Sequence, residues 1–594
     1  MRREPKAIWR SLEELEDSPE FRRFVEAEFP TEAGKFMDPV SRRSFLKVMG
    51  ASMALLSLAG CRWPDEEILP FAGRSEGTVP GKSKRFASHF EQDGYGFPVL
   101  VTSHDGRPIK VDGNPDHPMS LGGSDAVVQA SVLALYDPDR SRSPVKSGAL
   151  ESPDAFRTFA KDHFAAARTT GGEGVAVLAE PSLSPTLLDL TARFAAAFPK
   201  APFFTHEAFP RDAEPTALRA PDGTPLRALP LVENAEVILA LDDDLLGDHP
   251  AAARATRHFA RRRRAADKTM NRLFVVEPAM TITGGMADHR IIEKASRIPA
   301  FARALATALE GGGVPAERGP LFAALAADLI AHRAKSLVTA GRYQPAEVHA
   351  LALRMNVALG NVEKTVRYLP DAAERTDTLA ELAAELDAGR VKTLLVLGGN
   401  PAYTAPGFGE ALAKAEVSIH LSDRFDETSE RATWHVNRTH WLEEWGDVRA
   451  FDGTPGVVQP LLRPLYDGLG AIELLALAAG DELTKGYDLV RRTWAGLLGT
   501  GDFGRAWRRV LHDGLLSDGA AKGVAPAPAK PFPETPEVRG TEVLVRRDYR
   551  VRDGRYANNA WLQELPDPVT KLTWGNAALV SPTAGFATGT HVRV

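Results

Sequence analysis

The sequence predicts an α/β protein built on parallel sheets, with a small hairpin-containing domain before them and a β-rich segment after them. Three observations predict it. Short apolar runs at 174–178, 237–241, 273–276 and 393–397 have the length and composition of buried strands. Ala/Leu/Arg-rich stretches at 251–266, 298–310, 320–333 and 376–389 lie between or beside them and read as helices. Short apolar strands alternating with longer helices imply parallel strands covered on both faces.

Each segment has its own local reason. Residues 97–101 and 109–111 are strand-like and flank Asp105-Gly106, a pair suited to the left-handed conformation of a tight hairpin turn. Ser11 with Glu14 forms a capping-box pattern, and Ser18-Pro19-Glu20 starts a second helix, so the N-terminal extension reads as a short helical pair. The Pro/Ala/Lys-rich stretch near 520–536 reads as a linker. Beyond it, 543–545, 578–580 and 592–594 are strand-like. The expected domains are a helical extension with a signal at 1–61 and a small β-containing domain at 62–150. Two Rossmann-like α/β units follow at 151–395 and 396–519, then a linker at 520–540 and an incomplete β-barrel at 541–594.

Composition excludes several functions. The chain has 594 residues, 44% hydrophobic and 25% charged, with a formal net charge of -6. No general basicity exists to drive nucleic-acid binding. A mean hydropathy of -0.21 excludes a polytopic membrane protein. There is one cysteine, so this chain cannot supply an intrachain disulfide, a cysteine-ligated cluster or a CxxCH haem site. No G-x-S-x-G, P-loop or G-x-G-x-x-G lies in a strand–helix context, which argues against hydrolase, NTPase and dinucleotide readings.

That single cysteine is Cys61, at the end of Leu58-Ala59-Gly60-Cys61, the pattern of a bacterial lipobox. It follows Arg42, Arg43, Phe45, Leu46 and Lys47 and a modestly apolar stretch, the pattern of twin-arginine export. Together they predict an exported chain, lipid-anchored at the periplasmic face of the cytoplasmic membrane.

Other polar clusters admit two readings. Asp242, Asp243, Asp244, Asp248 and His249 follow a strand and suit either a divalent cation or a solvated turn leading into a helix. Arg261–Arg264 suit lipid headgroups or a partner, and equally a solvated helix face. His206 with Glu207, or His435 with His440 and Glu444, suit acid–base or metal pairs. With Trp434, Trp441 and Trp445 among them, the second set reads better as a packed helix–loop.

Residues 106–118 (GRPIKVDGNPDHP) and 135–140 (LYDPDR) resemble the N-terminal domain of molybdopterin oxidoreductases. Asn356-Val357-Ala358-Leu359-Gly360-Asn361 is similar to that family's N-x-x-LGN turn, and Leu397-Gly398-Gly399-Asn400-Pro401 to its GGNP strand–loop. Asn576-Ala577-Ala578-Leu579-Val580-Ser581-Pro582 is similar to the entrance of its C-terminal six-stranded barrel. The resemblance implies a pterin pocket around Gly398, Gly399, Asn400, Pro401 and Asn576. It also implies that the pocket is vestigial. Asp125, Val127 and Val128 stand where the family has a cluster cysteine, a basic residue and a glycine. The region 203–210 offers no thiolate or hydroxyl in the metal-ligand frame. Ala279, in Glu277-Pro278-Ala279, replaces an arginine that would pair a pterin phosphate.

A paralogue with these losses, a long twin-arginine leader and a lipobox resembles part of the large iron–sulfur subunit of bacterial alternative complex III. That resemblance implies a scaffold with no catalytic residue, no metal and no cofactor of its own. [4Fe–4S] and [3Fe–4S] clusters would sit on a ferredoxin-like partner or continuation. The other implied partners are an integral membrane quinol-binding subunit and a multihaem cytochrome c. The alternative is an active molybdopterin-dependent oxidoreductase without the N-terminal cluster.

Overall fold

The computed structural model describes residues 81–264, 270–371, 378–499 and 501–581, together with Pro19, Arg23 and Val79. The chain divides into two units, Met1–Thr78 and Val79–Val594, and the strands and helices below belong to the second. The twin-arginine motif at Arg42 and Arg43, with Phe45, Leu46 and Lys47, and the lipobox Cys61 lie outside the described residues. So do most of the N-terminal extension and the run at 592–594.

The N-terminal domain is a three-stranded antiparallel sheet of β1 (Lys84–Gln92), β2 (Tyr95–His104) and β3 (Arg107–Gly113). Both turns use an Asp-Gly pair with positive φ, Asp93-Gly94 (53° and 72°) and Asp105-Gly106 (49° and 88°). The second is the hairpin legible in the sequence. Val99, Val101 and Val111 bury one face of this sheet against Val127, Val128 and Val132 of the helix Ala126–Ala134.

Two short strands, β4 (Val145–Lys146) and β5 (Ala149–Leu150), precede β6 (Val175–Ala179) and β7 (Phe203–Thr205). Ser152 and Ser184 cap the helices Pro153–Thr169 and Pro185–Ala197 beside them, each with proline in the first turn. The chain then leaves this sheet. It forms β8 (Leu226–Pro230), β9 (Val237–Leu241), β10 (Arg272–Glu277), β11 (His289–Ile292), β12 (Ser336–Ala340) and β13 (Val366–Pro370). It returns for β14 (Thr393–Val396), β15 (Val417–Ser422) and β16 (Trp434–Asn437), and ends in the ribbon β17 (Gly446–Arg449) and β18 (Pro455–Val458).

The sheet orders follow from this route. One sheet has seven strands in the order β5-β4-β16-β15-β14-β6-β7, parallel from β16 to β7. The other has four parallel strands in the order β11-β10-β9-β12, and β8 pairs with β13 in a separate antiparallel ribbon. Helices cover both faces of each large sheet, as the alternation implies. On the seven-stranded sheet, Phe156, Phe194 and Trp494 build one core and Leu382, Leu386 and Leu412 the other.

Two expectations need correction. The division at 395/396 does not separate two sheets, because β14 completes the sheet that β6 and β7 began, and the four-stranded unit is inserted between them. Both parallel sheets use similar apolar runs, so the pattern marks strands but not which strands pair. Second, no strand forms after β18 among the described residues. Residues 543–545 and 578–580 join no ladder among the described residues, with Val543 83% and Leu579 67% exposed. A β-branched run becomes a strand only where another backbone supplies its hydrogen bonds.

Candidate functional site

In open α/β sheets, ligands collect at the carboxyl ends of the strands where strand order reverses. The described residues have two such points. In the seven-stranded sheet the reversal lies between β6 and β14, flanked by Glu180 and by Gly398–Pro401. In the four-stranded sheet it lies between β9 and β12, flanked by Asp242–Asp248 and by Gly341–Gln344.

Gly398 and Gly399 turn the chain out of β14 with φ of 113° and 73°, where a side chain would be strained. A Cβ on Gly398 would stand 3.1 Å from Arg438 Nη1. Asn400 spends its amide on the protein itself. Its Nδ2 donates to Glu427 (2.6 Å), and its Oδ1 accepts from Thr428 N (3.2 Å) and Oγ1 (2.7 Å). Pro401 opens a short helix, and His206 reaches Thr404 Oγ1 at 3.0 Å. Asn576 is exposed, its side chain accepts from Ala577 N, and it does not line the crevice. The structure therefore brings Gly398, Gly399, Asn400 and Pro401 together and leaves Asn576 out.

Both reversal points are filled by one segment that the sequence reading missed, Arg546–Tyr556 (RRDYRVRDGRY). Arg546 Nη2 lies 2.7 Å from both oxygens of Asp242 and its guanidinium stacks 4.9 Å over Tyr343. Arg547 donates to Asp93 Oδ1 (2.6 Å) and Asp248 Oδ1 (2.5 Å). The Tyr549 hydroxyl donates to Asp244 Oδ2 (2.6 Å), Arg552 to Asp248 (3.2 Å), and Arg555 to Glu180 Oε1 (2.6 Å). The available signal was five arginines between 546 and 555, which the strand-like flanks obscured.

This strap settles the acidic cluster. Asp242, Asp243 and Asp244 are buried rather than solvated, and no group of three or more metal-ligating side chains forms among the described residues. Burial pushes the Asp93 and Asp248 carboxyls up, but Arg547 and Arg342 outweigh it and hold both below the usual range. At Asp243 burial outweighs the opposing pull of Thr339 and Arg211 and lifts the carboxyl to about 7.

The remaining candidates are structural. Asp125 caps the helix Ala126–Ala134 by accepting from Val128 N at 2.7 Å. Glu277 pairs with Arg290 (2.5 Å) and accepts from Thr281 Oγ1 (2.7 Å). Arg263 forms a two-bond fork with Asp288 (2.7 and 2.6 Å), so the arginine run is partly tied down. His435, His440 and Glu444 do not form a helical set: His435 is in β16, while His440 and Glu444 lie in the following loop. His440 contacts Ser131 O (3.1 Å), and Glu444 accepts from Thr439 (2.5 Å).

No family model matches the chain. The menaquinone reductase, molybdopterin-binding-like subunit, of Nitratidesulfovibrio vulgaris is 25% identical over 512 residues, covering 76% of this chain and 73% of that one. Among solved structures, acetylene hydratase from Pelobacter acetylenicus superposes with a TM-score of 0.51 at 11% identity, covering 66% of this chain and 69% of that one. The chain therefore shares the mixed α/β fold of acetylene hydratase, with parallel sheets.

The residues at the two reversal points do not fit a pterin cofactor. Beside Glu180, Gly398 and Arg555 about 10 Å³ remains for water-sized occupants, and about 20 Å³ beside Asp93, Arg547 and Arg552. A cofactor-sized ligand needs roughly 300 Å³ or more. The arginines that would attract a phosphate already pair with Asp93, Asp242, Asp248 and Glu180, and a dianion entering there would meet those carboxylates.

Proposed function

We propose that this chain is a cofactor-free, molybdopterin-oxidoreductase-like scaffold subunit of a membrane-associated respiratory complex that exchanges electrons with a quinone pool. The observation that carries the reading is the strap. Arg546, Arg547, Tyr549, Arg552 and Arg555 occupy both sites where this fold would hold a cofactor, and bind its acidic lining. The similarity to a menaquinone reductase subunit supports the assignment to a quinone-linked complex.

The finer reading is a subunit of the alternative complex III type. Arg42 and Arg43 direct export by the twin-arginine route, and acylated Cys61 holds the chain at the periplasmic face of the membrane. Electrons then travel through [4Fe–4S] and [3Fe–4S] clusters of a ferredoxin-like domain or subunit, between an integral membrane quinol-binding subunit and a multihaem cytochrome c. With its one cysteine in the lipobox, this chain has no thiolate left for a cluster. It contributes shape, as a docking surface.

The test is metal content. The chain, expressed through its native export route, is expected to show neither molybdenum nor iron above background by elemental mass spectrometry. Stoichiometric molybdenum would overturn the scaffold reading in favour of an active molybdopterin-dependent oxidoreductase.

A further inference from the structure

His420 and His435 are register partners on the adjacent parallel strands β15 and β16, so their side chains leave the same face of the sheet. The helix Glu427–Arg431 places Ser429 between them. The result is a continuous hydrogen-bonded chain. His420 Nε2 lies 2.9 Å from Gly399 O, and His420 Nδ1 lies 2.9 Å from Ser429 Oγ. Ser429 Oγ lies 2.8 Å from His435 Nδ1, and His435 Nε2 lies 2.7 Å from Ser141 Oγ. Both rings and Ser429 are buried, while Ser141 is half-buried and held by its N–H on Asp423 O at 2.8 Å.

The direction of every bond in this chain is determined at one end. Gly399 O can only accept, so His420 carries its proton on Nε2 and its Nδ1 accepts from the Ser429 hydroxyl. Ser429 Oγ, having donated, accepts from His435 Nδ1–H, and the bare His435 Nε2 accepts from Ser141. The two neutral rings are therefore opposite tautomers. We propose that Ser141, His435, Ser429 and His420 form a proton relay from the protein surface to the glycine loop at the end of β14. A proton from hydronium, which leaves as water, joins Ser141 Oγ, whose own proton passes to His435 Nε2. The His435 Nδ1 proton passes to Ser429, and the Ser429 proton to His420 Nδ1. One proton has entered, His420 is an imidazolium, and His435 is again neutral but with its tautomer reversed.

The surroundings favour His420 as the acceptor. Asp426 Oδ1 lies 3.4 Å from its Nδ1, with Asp423 and Glu180 also acting on it. Ser422 Oγ and Ser429 N hold the Asp426 carboxylate at 2.9 Å each. The charged or titratable groups acting on His435 are His420 and Asp423, and the edge of Phe425 lies 5.3 Å away between ring centres. Burial lowers both rings, so the relay rests uncharged at neutral pH and loads in acid. Its operation does not depend on whether the crevice ever holds a pterin.

Imidazole-¹⁵N-labelled histidine in the full chain reads the relay directly by NMR, with His420→Gln and His435→Gln assigning the two rings. At neutral pH the expected result is Nε2–H on His420 and Nδ1–H on His435. As pH falls, His420 is expected to gain a second proton while His435 switches to Nε2–H in the same step. Ser429→Ala should abolish that switch and Ser429→Thr should restore it. Identical tautomers at neutral pH would overturn the proposal. So would a His435 that keeps Nδ1–H when His420 charges, or a switch that survives Ser429→Ala.

Discussion

Arg547 is the best place to test whether the strap is part of the folded body or lies loosely upon it. Its side chain is 6% exposed and joins Asp93, from the first hairpin, to Asp248, after β9. Arg547→Ala would take a partner from two carboxylates, and removing one partner of a buried pair typically costs about 3–5 kcal/mol. Each carboxylate keeps another partner: Asp93 has Arg342 at 3.5 Å, and Asp248 has Arg552 at 3.2 Å and the Tyr343 hydroxyl at 3.3 Å. The expected loss is therefore near the lower figure, about 3 kcal/mol, or roughly 150-fold in the docked population of the strap. Amide hydrogen exchange across 546–556 measures that population directly, because strap opening need not unfold the sheets. Adding Asp248→Asn should recover at least about 1 kcal/mol, since one of the two charges that lost a partner disappears. Acceleration of less than about fivefold, under roughly 1 kcal/mol, would refute the claim that the strap is locked into the reversal points.

Two further outcomes follow from buried carboxylates. Asp243 titrates at about 7 because of burial, so the folded state holds a proton that the unfolded chain releases near 4. Its contribution is fully present below that lower value and is lost as pH rises to about 7. Asp243→Asn should therefore gain on the wild type by roughly 3–4 kcal/mol between pH 4 and 7, measured by denaturant unfolding at each pH; a parallel pH dependence would contradict it. Asp447 accepts from Ser184 Oγ (2.6 Å), Thr186 N (3.0 Å), Thr186 Oγ1 (2.6 Å) and Trp494 Nε1 (2.9 Å). Asp447→Ala leaves those donors unsatisfied and should cost about 3 kcal/mol or more, while Asp447→Asn, retaining an acceptor, should cost less.

Much of the local structure was legible because its causes are local. Asp105-Gly106 carries its own turn, Ser152-Pro153 and Ser184-Pro185 carry their own helix starts, and runs such as 237–241 are too apolar to be anything but buried. The glycines at 398 and 399 were readable as a loop at a strand end.

What only the tertiary structure decided is partnership across distance. Arg547 meets Asp93 across a separation of 454 positions along the chain and Asp248 across 299. Nothing in a run of arginines says which carboxylates will neutralise it. Without that pairing Asp242–Asp248 reads as a metal site or a wet turn; with it, the same residues are a buried lining filled by the protein itself. The strand-like 543–545 failed for the complementary reason, since its propensity found no neighbouring backbone among the described residues. His420 and His435 make the same point at short range: each alone is a buried histidine, and only register and the helix bearing Ser429 join them into a chain. Burial and pairing are properties of the fold, because electrostatic and hydrogen-bond energies depend on which groups meet once water has been excluded.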